Sequence, residues 1–233
     1  MAKAVEKTGV NFCYCTMAVG ERYHKLAEVF LDTLIRYTDD SCVVVTDSKH
    51  TLNKSDQIMQ VDVGAYDGHP INLKWIPFHH ALKQGHETIC FIDVDSTVNE
   101  NYDRQSIVNV TRDGLGCNWH LNYNKNFVSR RRGAKKLEML IEHRDEYPIL
   151  CPVECFMMLH GNRNRSVAFV NEWSQLQQQI AYQKLYAREV CHEIGLAAKR
   201  TNLPVYKFTG GRTVYLKSFQ HYGGGAKKHM INK

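Results

Sequence analysis

The chain has 233 residues, enough for one substantial α/β domain with a full hydrophobic core. No apolar stretch approaches the length of a membrane span, and the polar first residues predict no secretory signal. The eight cysteines include no Cys-x-x-Cys pair, which favours a reduced cytoplasmic protein over a disulfide scaffold or zinc site. The net charge of +6 is modest but clustered, so we expect an anionic partner.

Strand and helix patterns alternate through the first hundred residues. Apolar runs of strand length are separated by segments whose apolar residues recur at helical spacing. This alternation favours a mostly parallel, Rossmann-like sheet flanked by helices. The predicted elements are strand 10–16, helix 23–37, strand 42–47, strand 57–63, helix 70–84 and strand 88–92.

The second half is less regular but still reads as α/β. No repeat or linker divides it from the first half, so we expect a single domain over residues 1–233. The predicted elements are strand 116–123, helix 132–144, an apolar segment 149–159, helices 170–186 and 187–200, and strand 204–208.

Two aspartates, Asp93 and Asp95, follow the buried strand 88–92. Carboxylates are rarely buried without a partner, so a pair at the end of a core strand calls for a compensating cation. The carboxyl ends of strands are also where open α/β sheets bind ligands. Hard oxygen ligands suit Mg²⁺ or Mn²⁺, usually shared with a substrate phosphate. The alternative is a pair of solvated aspartates that cap a loop.

The segment from His221 to Lys227 combines a histidine, three glycines and a lysine. A histidine can complete the coordination of Mn²⁺ held by carboxylates. Glycines let the backbone approach an anion closely, and a lysine can meet a phosphate. The alternative is a flexible, positively charged tail.

Two further positions stand out. Lys74 lies on the helix that precedes the two aspartates, and Glu154 interrupts an apolar strand. A glutamate in such a strand is paired, functional or wrongly assigned to the strand.

Together these segments resemble the GT-A fold nucleotide-sugar glycosyltransferases, most closely the glycogenin-like family eight. The stretch Asp93-Val94-Asp95 matches the Asp-x-Asp motif of that family. His221, Gly224 and Lys227 match its closing His-x-x-Gly-x-x-Lys motif, and Lys74 matches its basic residue by position. Glu154 lies where the family has an Asn-Ser-Gly-like triplet and departs from it.

The resemblance implies a UDP-sugar donor and a Mn²⁺ or Mg²⁺ ion held by Asp93, Asp95 and His221. It implies a nucleotide-sugar-binding half over about residues 9–100 and an acceptor-side half over about 101–233. Asp93, Val94, Asp95 and Gly224 would line the donor site, and Lys74 and Lys227 would add positive charge at the diphosphate. By position, further nucleoside contacts are predicted at Thr16, Tyr23 and Asp47.

The resemblance also implies transfer with retention at the anomeric carbon. Glu154 and Glu189 are the candidates for a carboxylate nucleophile. Same-face attack without a protein nucleophile, or an inverting reaction with one of them as general base, are the alternatives.

The favoured acceptor is a hydroxymethylated base in double-stranded DNA, modified as some phages do, in the host cytoplasm. The basis is a cluster of basic residues next to aromatic ones, suited to grip a phosphate backbone and flip a base. A protein or glycan acceptor, or a non-enzymatic nucleic-acid-binding protein, are the alternatives. The predicted nucleic-acid contacts are Arg130, Arg131, Arg132 and Lys135.

Overall fold

The apolar runs of the sequence form strands, as a computed structural model of the protein shows. It describes residues 11–47, 52, 55–66, 68, 70–109, 111–123, 139–143, 149–182, 192–207 and 218–222, with the backbone alone at 118–123, 150–155, 181–182 and 221. The strands are β1 (Phe12–Ala18), β2 (Ser41–Thr46), β3 (Ile58–Asp62), β4 (Thr88–Ile92), β5 (Ser96–Val98), β6 (Gly114–Tyr123), β7 (Ile149–His160), β8 (Val205–Lys207) and β9 (Phe219–His221). The helices are α1 (Glu21–Tyr37), α2 (Trp75–Lys83), α3 (Arg104–Asn109), α4 (Arg163–Tyr182) and α5 (His192–Arg200), with a 3₁₀ turn at Pro70–Leu73.

Seven strands form one sheet in the order β3-β2-β1-β4-β7-β6-β8. Strands β3, β2, β1 and β4 are parallel to one another, whereas β7 is antiparallel to both of its neighbours. Strand β8 is parallel to β6, so β7 is the one reversed strand of the sheet. The expected mostly parallel α/β sheet is confirmed, and strands from both predicted halves join it.

The core has two layers, one on each face of the sheet, because side chains alternate across a strand. Cys13 and Cys15 of β1 face the layer that α2, α4 and α5 cover. Phe12 and Tyr14 face the opposite layer, which α1 covers with a stripe that includes Leu26 and Phe30. Central strands buried on both faces explain why their sequences are continuous apolar runs rather than alternating ones.

Within the described ranges, three predicted elements differ from the observed ones by more than two residues at one end. The predicted helix 70–84 divides into a 3₁₀ turn and α2, which begins at Trp75. Helix α4 begins at Arg163 rather than at 170. The side chain of Asn162 caps this helix, because its Oδ1 accepts a hydrogen bond from the amide of Arg165 at 3.2 Å. Of the predicted helix 132–144, the described residues 139–140 are helical and 141–143 are not.

A second, two-stranded sheet stands apart from the main one. Strand β5, immediately after the aspartate pair, is antiparallel to β9, with Ser96 opposite His221 and Val98 opposite Phe219. Strands of three residues are too short for a periodicity signal, and the sequence patterns predicted neither of them. None of the helices in the described ranges is long and apolar enough to cross a bilayer.

The hydroxyl of Thr16 links the centre of the sheet to the start of the aspartate pair. It is fully buried and donates to the carbonyl of Ile92, the last residue of β4, at 2.7 Å. Leaving a buried carbonyl without a partner costs about 1–3 kcal/mol.

We expect Thr16→Val, which preserves the shape and removes the donor, to lower the free energy of unfolding by about 1–2 kcal/mol in urea denaturation. Thr16→Ser is the control, because it keeps the hydroxyl and loses only a methyl group. A Thr16→Val protein as stable as the wild type would show that this bond contributes nothing.

Candidate active site

The carboxyl ends of β1, β2 and β4 meet at one edge of the sheet. From β1 the chain crosses to β2 on one side, and it later returns to β4 on the other side. In open α/β sheets, ligands bind outside the carboxyl ends of the strands at such a reversal of strand order. Gly20, Asp47 and Asp93 follow β1, β2 and β4 respectively at this edge.

The aspartate pair lies in two different environments. Asp95 is 4% exposed, whereas the side chain of Asp93 is 29% exposed. Lys74 Nζ donates to Asp93 Oδ1 at 2.8 Å and lies 4.9 Å from the centre of the Phe91 ring. The side chain of Lys74 is itself 7% exposed, so this ion pair is largely shielded from water. The basic residue expected near this site is therefore in direct contact with Asp93.

The backbone of His221, the first residue of the C-terminal motif, lies beside the aspartate pair. The amide of Tyr222 donates to the carbonyl of Asp95 at 2.7 Å, and the residue before it, His221, is opposite Ser96. Phe219 and Tyr222 are buried in the core layer that α1 covers, which anchors this strand on both sides of His221. The imidazole of His221 is outside the described side chains.

The residues at this edge fit a hard divalent cation. Asp93 and Asp95 supply carboxylate oxygens, the donors that Mg²⁺ and Mn²⁺ prefer, and the backbone puts a histidine next to them. Among the described side chains, no group of three histidine, cysteine, aspartate or glutamate residues is arranged to hold a metal ion. A metal site here therefore needs the imidazole of His221 or oxygens from a ligand.

Asp47 ties the loop after β1 to the end of β2. Its Oδ1 accepts a hydrogen bond from the amide of Gly20 at 2.9 Å. The same oxygen accepts a second hydrogen bond, from His24 Nε2, at 2.7 Å. Burial raises the pKa of Asp47, but these two donors outweigh it, so the pKa lies below its usual value of 3.8. Tyr23 and His24 are both in the first turn of α1. The ring of Tyr23 is partly buried and packs against the core. The predicted nucleoside contacts Asp47 and Tyr23 thus share one loop-and-helix unit at this edge.

The described backbone locates Glu154 just beyond the pairing of β4 with β7. Ile92 is opposite Phe156, and the two strands are antiparallel. The residues that precede Phe156 on β7 therefore lie alongside the chain that follows Ile92, where the aspartate pair begins. The pairing of β7 with β6 shifts between Cys117 and Asn118, leaving an irregular stretch of β7 around Glu154. Bulges of this kind are frequent next to active sites. The side chain of Glu154 is outside the described part.

A buried carboxylate that the sequence patterns did not single out is Glu193, at the start of α5. It is 1% exposed, and its Oε1 accepts Gln177 Nε2 at 2.6 Å. The neighbouring His192 is also fully buried. The available signal was a His-Glu pair within a segment of otherwise helical pattern, which is weak without knowledge of burial.

Two observations indicate that Glu193 is at the same edge as Asp93. Helix α4 runs antiparallel to α2, because Arg163 donates to the carbonyl of Leu82 and Trp173, further along α4, contacts Phe78. Gln177, one turn later, therefore lies toward the Lys74 end of α2. A short turn joins the end of α5 to β8, and the first residue of β8 pairs near the beginning of β6. The end of α5 is therefore near the edge of the sheet where β6 begins. Its start is near the opposite edge, where the parallel strands end.

The remaining predicted site residues lie outside the described residues. Of the catalytic candidates this applies to Glu189, and of the diphosphate contacts to Gly224 and Lys227. It applies also to all predicted nucleic-acid contacts, which are Arg130, Arg131, Arg132 and Lys135.

The comparisons with known proteins identify the architecture. No family model and no curated protein matches the sequence. Among solved structures, the chain is similar to the galactosyltransferase LgtC, crystallised in complex with donor and acceptor sugar analogues. The TM-score is 0.53 at 13% identity, over 94% of this chain and 95% of that one. At this identity the likeness shows the fold alone, and that fold is the GT-A glycosyltransferase fold.

The low pKa of Asp47 makes a testable contribution to stability. Because the folded pKa lies below the unfolded one, the contribution is present above about pH 4 and is lost as the pH falls through the folded value. We expect Asp47→Asn to be less stable than the wild type in urea at pH 7, and the gap to shrink at pH 3. Asp56→Asn, at an exposed turn, is the control. A gap that stays constant with pH would contradict the assignment.

Proposed function

We propose that the protein is a metal-dependent glycosyltransferase that moves a sugar from a UDP-sugar donor to an acceptor hydroxyl. One observation carries the proposal. In a chain with the GT-A fold, Asp93 and Asp95 follow the central strand at the edge where the strand order reverses, and the strand that ends at His221 pairs directly beside them. The pairing of β5 with β9 brings together residues that are this far apart in the sequence.

Asp93, Asp95 and His221 would hold the cation, either Mn²⁺ or Mg²⁺. When bound, that cation supplies Lewis-acid stabilisation of the departing UDP diphosphate. By the family resemblance, Lys227 would add a positive charge at the diphosphate, and Gly224 would allow the backbone to approach it closely. Lys74 reaches the site through Asp93, to which it donates.

The nucleoside would lie across the ends of β1 and β2. Asp47 is held there by Gly20 and His24 through one of its two oxygens. An acidic residue at the end of the second strand is a common partner for a ribose hydroxyl in α/β nucleotide sites. Tyr23 offers a ring beside the same loop, and the bond of Thr16 to Ile92 joins the ends of β1 and β4 at this edge.

The transfer breaks the bond between the anomeric carbon and the UDP oxygen and forms one to the acceptor oxygen, whose proton must leave. With retention, a carboxylate acts as nucleophile, or the acceptor attacks from the face that UDP leaves. Glu154 and Glu189 are the carboxylates proposed from sequence, and buried Glu193 joins them. In an inverting reaction one of the three would accept the acceptor's proton.

For the acceptor we propose a hydroxymethylated base in double-stranded DNA. The support is the sequence itself, where Arg130, Arg131, Arg132 and Lys135 follow a run that is rich in aromatic residues. A glycan or protein hydroxyl is the second candidate, favoured by the acceptor sugar analogue that was crystallised with the galactosyltransferase of similar fold.

The direct test is a panel of UDP-sugars with Mn²⁺, incubated with hydroxymethylated DNA, unmodified DNA and oligosaccharides, and analysed by mass spectrometry. We expect a mass gain of one sugar on hydroxymethylated DNA only. We expect Asp95→Asn to abolish turnover of the UDP-sugar, with Asp56→Asn as a matched control of unchanged activity. Full turnover by Asp95→Asn would contradict the metal assignment, and a gain on oligosaccharides alone would contradict the DNA acceptor.

Glu193→Gln tests the buried carboxylate separately. The substitution keeps the size of the side chain and an acceptor oxygen for Gln177. If Glu193 takes part in the transfer, we expect kcat to fall at least a hundredfold while UDP affinity and Mn²⁺ affinity stay within about twofold. A protein with wild-type kcat would limit Glu193 to a structural bond between α4 and α5.

A further inference from the structure

Lys74 brings its ammonium group into the aspartate site. Its ammonium lies 2.8 Å from Asp93 Oδ1 and 4.9 Å above Phe91, with a side chain that is 7% exposed. A lysine on the surface could swing away at little cost, but a buried lysine cannot, because its stem is packed and its charge would lose its partner. The charge therefore remains next to Asp93.

This charge opposes a second cation at the same carboxylates. A divalent ion bound to Asp93 through an oxygen would lie within a few ångströms of the ammonium, where water screens the repulsion only weakly. Lys74 also offsets one of the two negative charges of Asp93 and Asp95, which reduces their attraction for the ion. A diphosphate has the opposite effect, because its negative charges attract both the ion and the ammonium.

We propose that Lys74 keeps the affinity of this site for a bare divalent cation low, so that the cation binds together with the diphosphate of the donor. The inference rests on the proposed function and adds to it a positioning residue that sets the order of binding. Lys74 does this through Asp93, and its charge makes the metal–nucleotide complex the species that the site recognises.

The test is Mn²⁺ binding, measured by electron paramagnetic resonance of the unbound ion, with and without UDP. We expect the wild type to bind Mn²⁺ at least tenfold more tightly with UDP than without it. We expect Lys74→Met to bind Mn²⁺ alone about tenfold more tightly than the wild type, and to gain much less from UDP. Lys74→Arg keeps the charge and should behave as the wild type.

Lys83→Met is the matched control, because Lys83 is an exposed lysine at the other end of α2. We expect it to bind Mn²⁺ as the wild type does. Lys74→Gln, which removes the charge but can still donate to Asp93, is a second uncharged variant with the same expected result, and it decides the matter if Lys74→Met fails to fold by circular dichroism.

Two results would overturn the inference. One is wild-type protein that binds Mn²⁺ equally well with and without UDP, and the other is folded Lys74→Met that binds Mn²⁺ no more tightly than the wild type. A failure of the proposed function looks different, since neither the wild type nor any variant would then bind UDP in the presence of Mn²⁺.

Discussion

Asp93 and Asp95 place two carboxylates at the end of a buried strand. This electrostatic demand for positive charge or hydrogen-bond donors determines how the edge of the sheet is built. Asp95 is buried and Asp93 is only partly exposed, and a carboxylate removed from water is costly unless positive charge or hydrogen-bond donors lie nearby. Lys74 meets part of the demand for Asp93 from the start of α2. A divalent cation would meet the rest, and the diphosphate it carries would in turn satisfy the cation. Under the proposed function, the charges that make the strand end costly to fold would also favour a donor whose diphosphate carries a cation.

The topology brings to this edge groups that are distant in the sequence. Parallel strands bring the ends of β1, β2 and β4 together, with Gly20, Asp47 and Asp93 in neighbouring positions. The reversed strand β7 enters the sheet from the same edge, which carries the backbone of Glu154 past the aspartates. The late strand β9 then closes on β5. Each element contributes one chemical group, and the sheet order determines which groups meet.

Much of this could be predicted from the sequence, because the central strands are continuous apolar runs and α1 carries a clear amphipathic stripe. Strand β4 was predicted at its observed boundaries, and the position of Asp93 and Asp95 at its end followed from that. The three-residue strands β5 and β9 could not be predicted, since periodicity needs a longer window. The start of α4 was missed because its first turn is polar and its capping residue, Asn162, resembles an ordinary loop residue.

The residues of the candidate site also divide into those that the sequence predicted and those that depend on tertiary packing. The family resemblance implied Lys74 near the diphosphate, but its contact with Asp93 depends on how the start of α2 packs across Phe91. Glu193 carried only a weak local signal, because its burial between α4 and α5 is a property of tertiary packing. His24 was likewise an unremarked helix residue until the fold put its ring beside Asp47.

The most direct test of the central claim is a crystal structure of the protein soaked with UDP and Mn²⁺, with the ion located by its anomalous scattering. The account predicts one strong peak bonded to the carboxylates of Asp93 and Asp95, the imidazole of His221 and the diphosphate oxygens. A manganese peak elsewhere, or an imidazole of His221 turned away from both carboxylates, would contradict it.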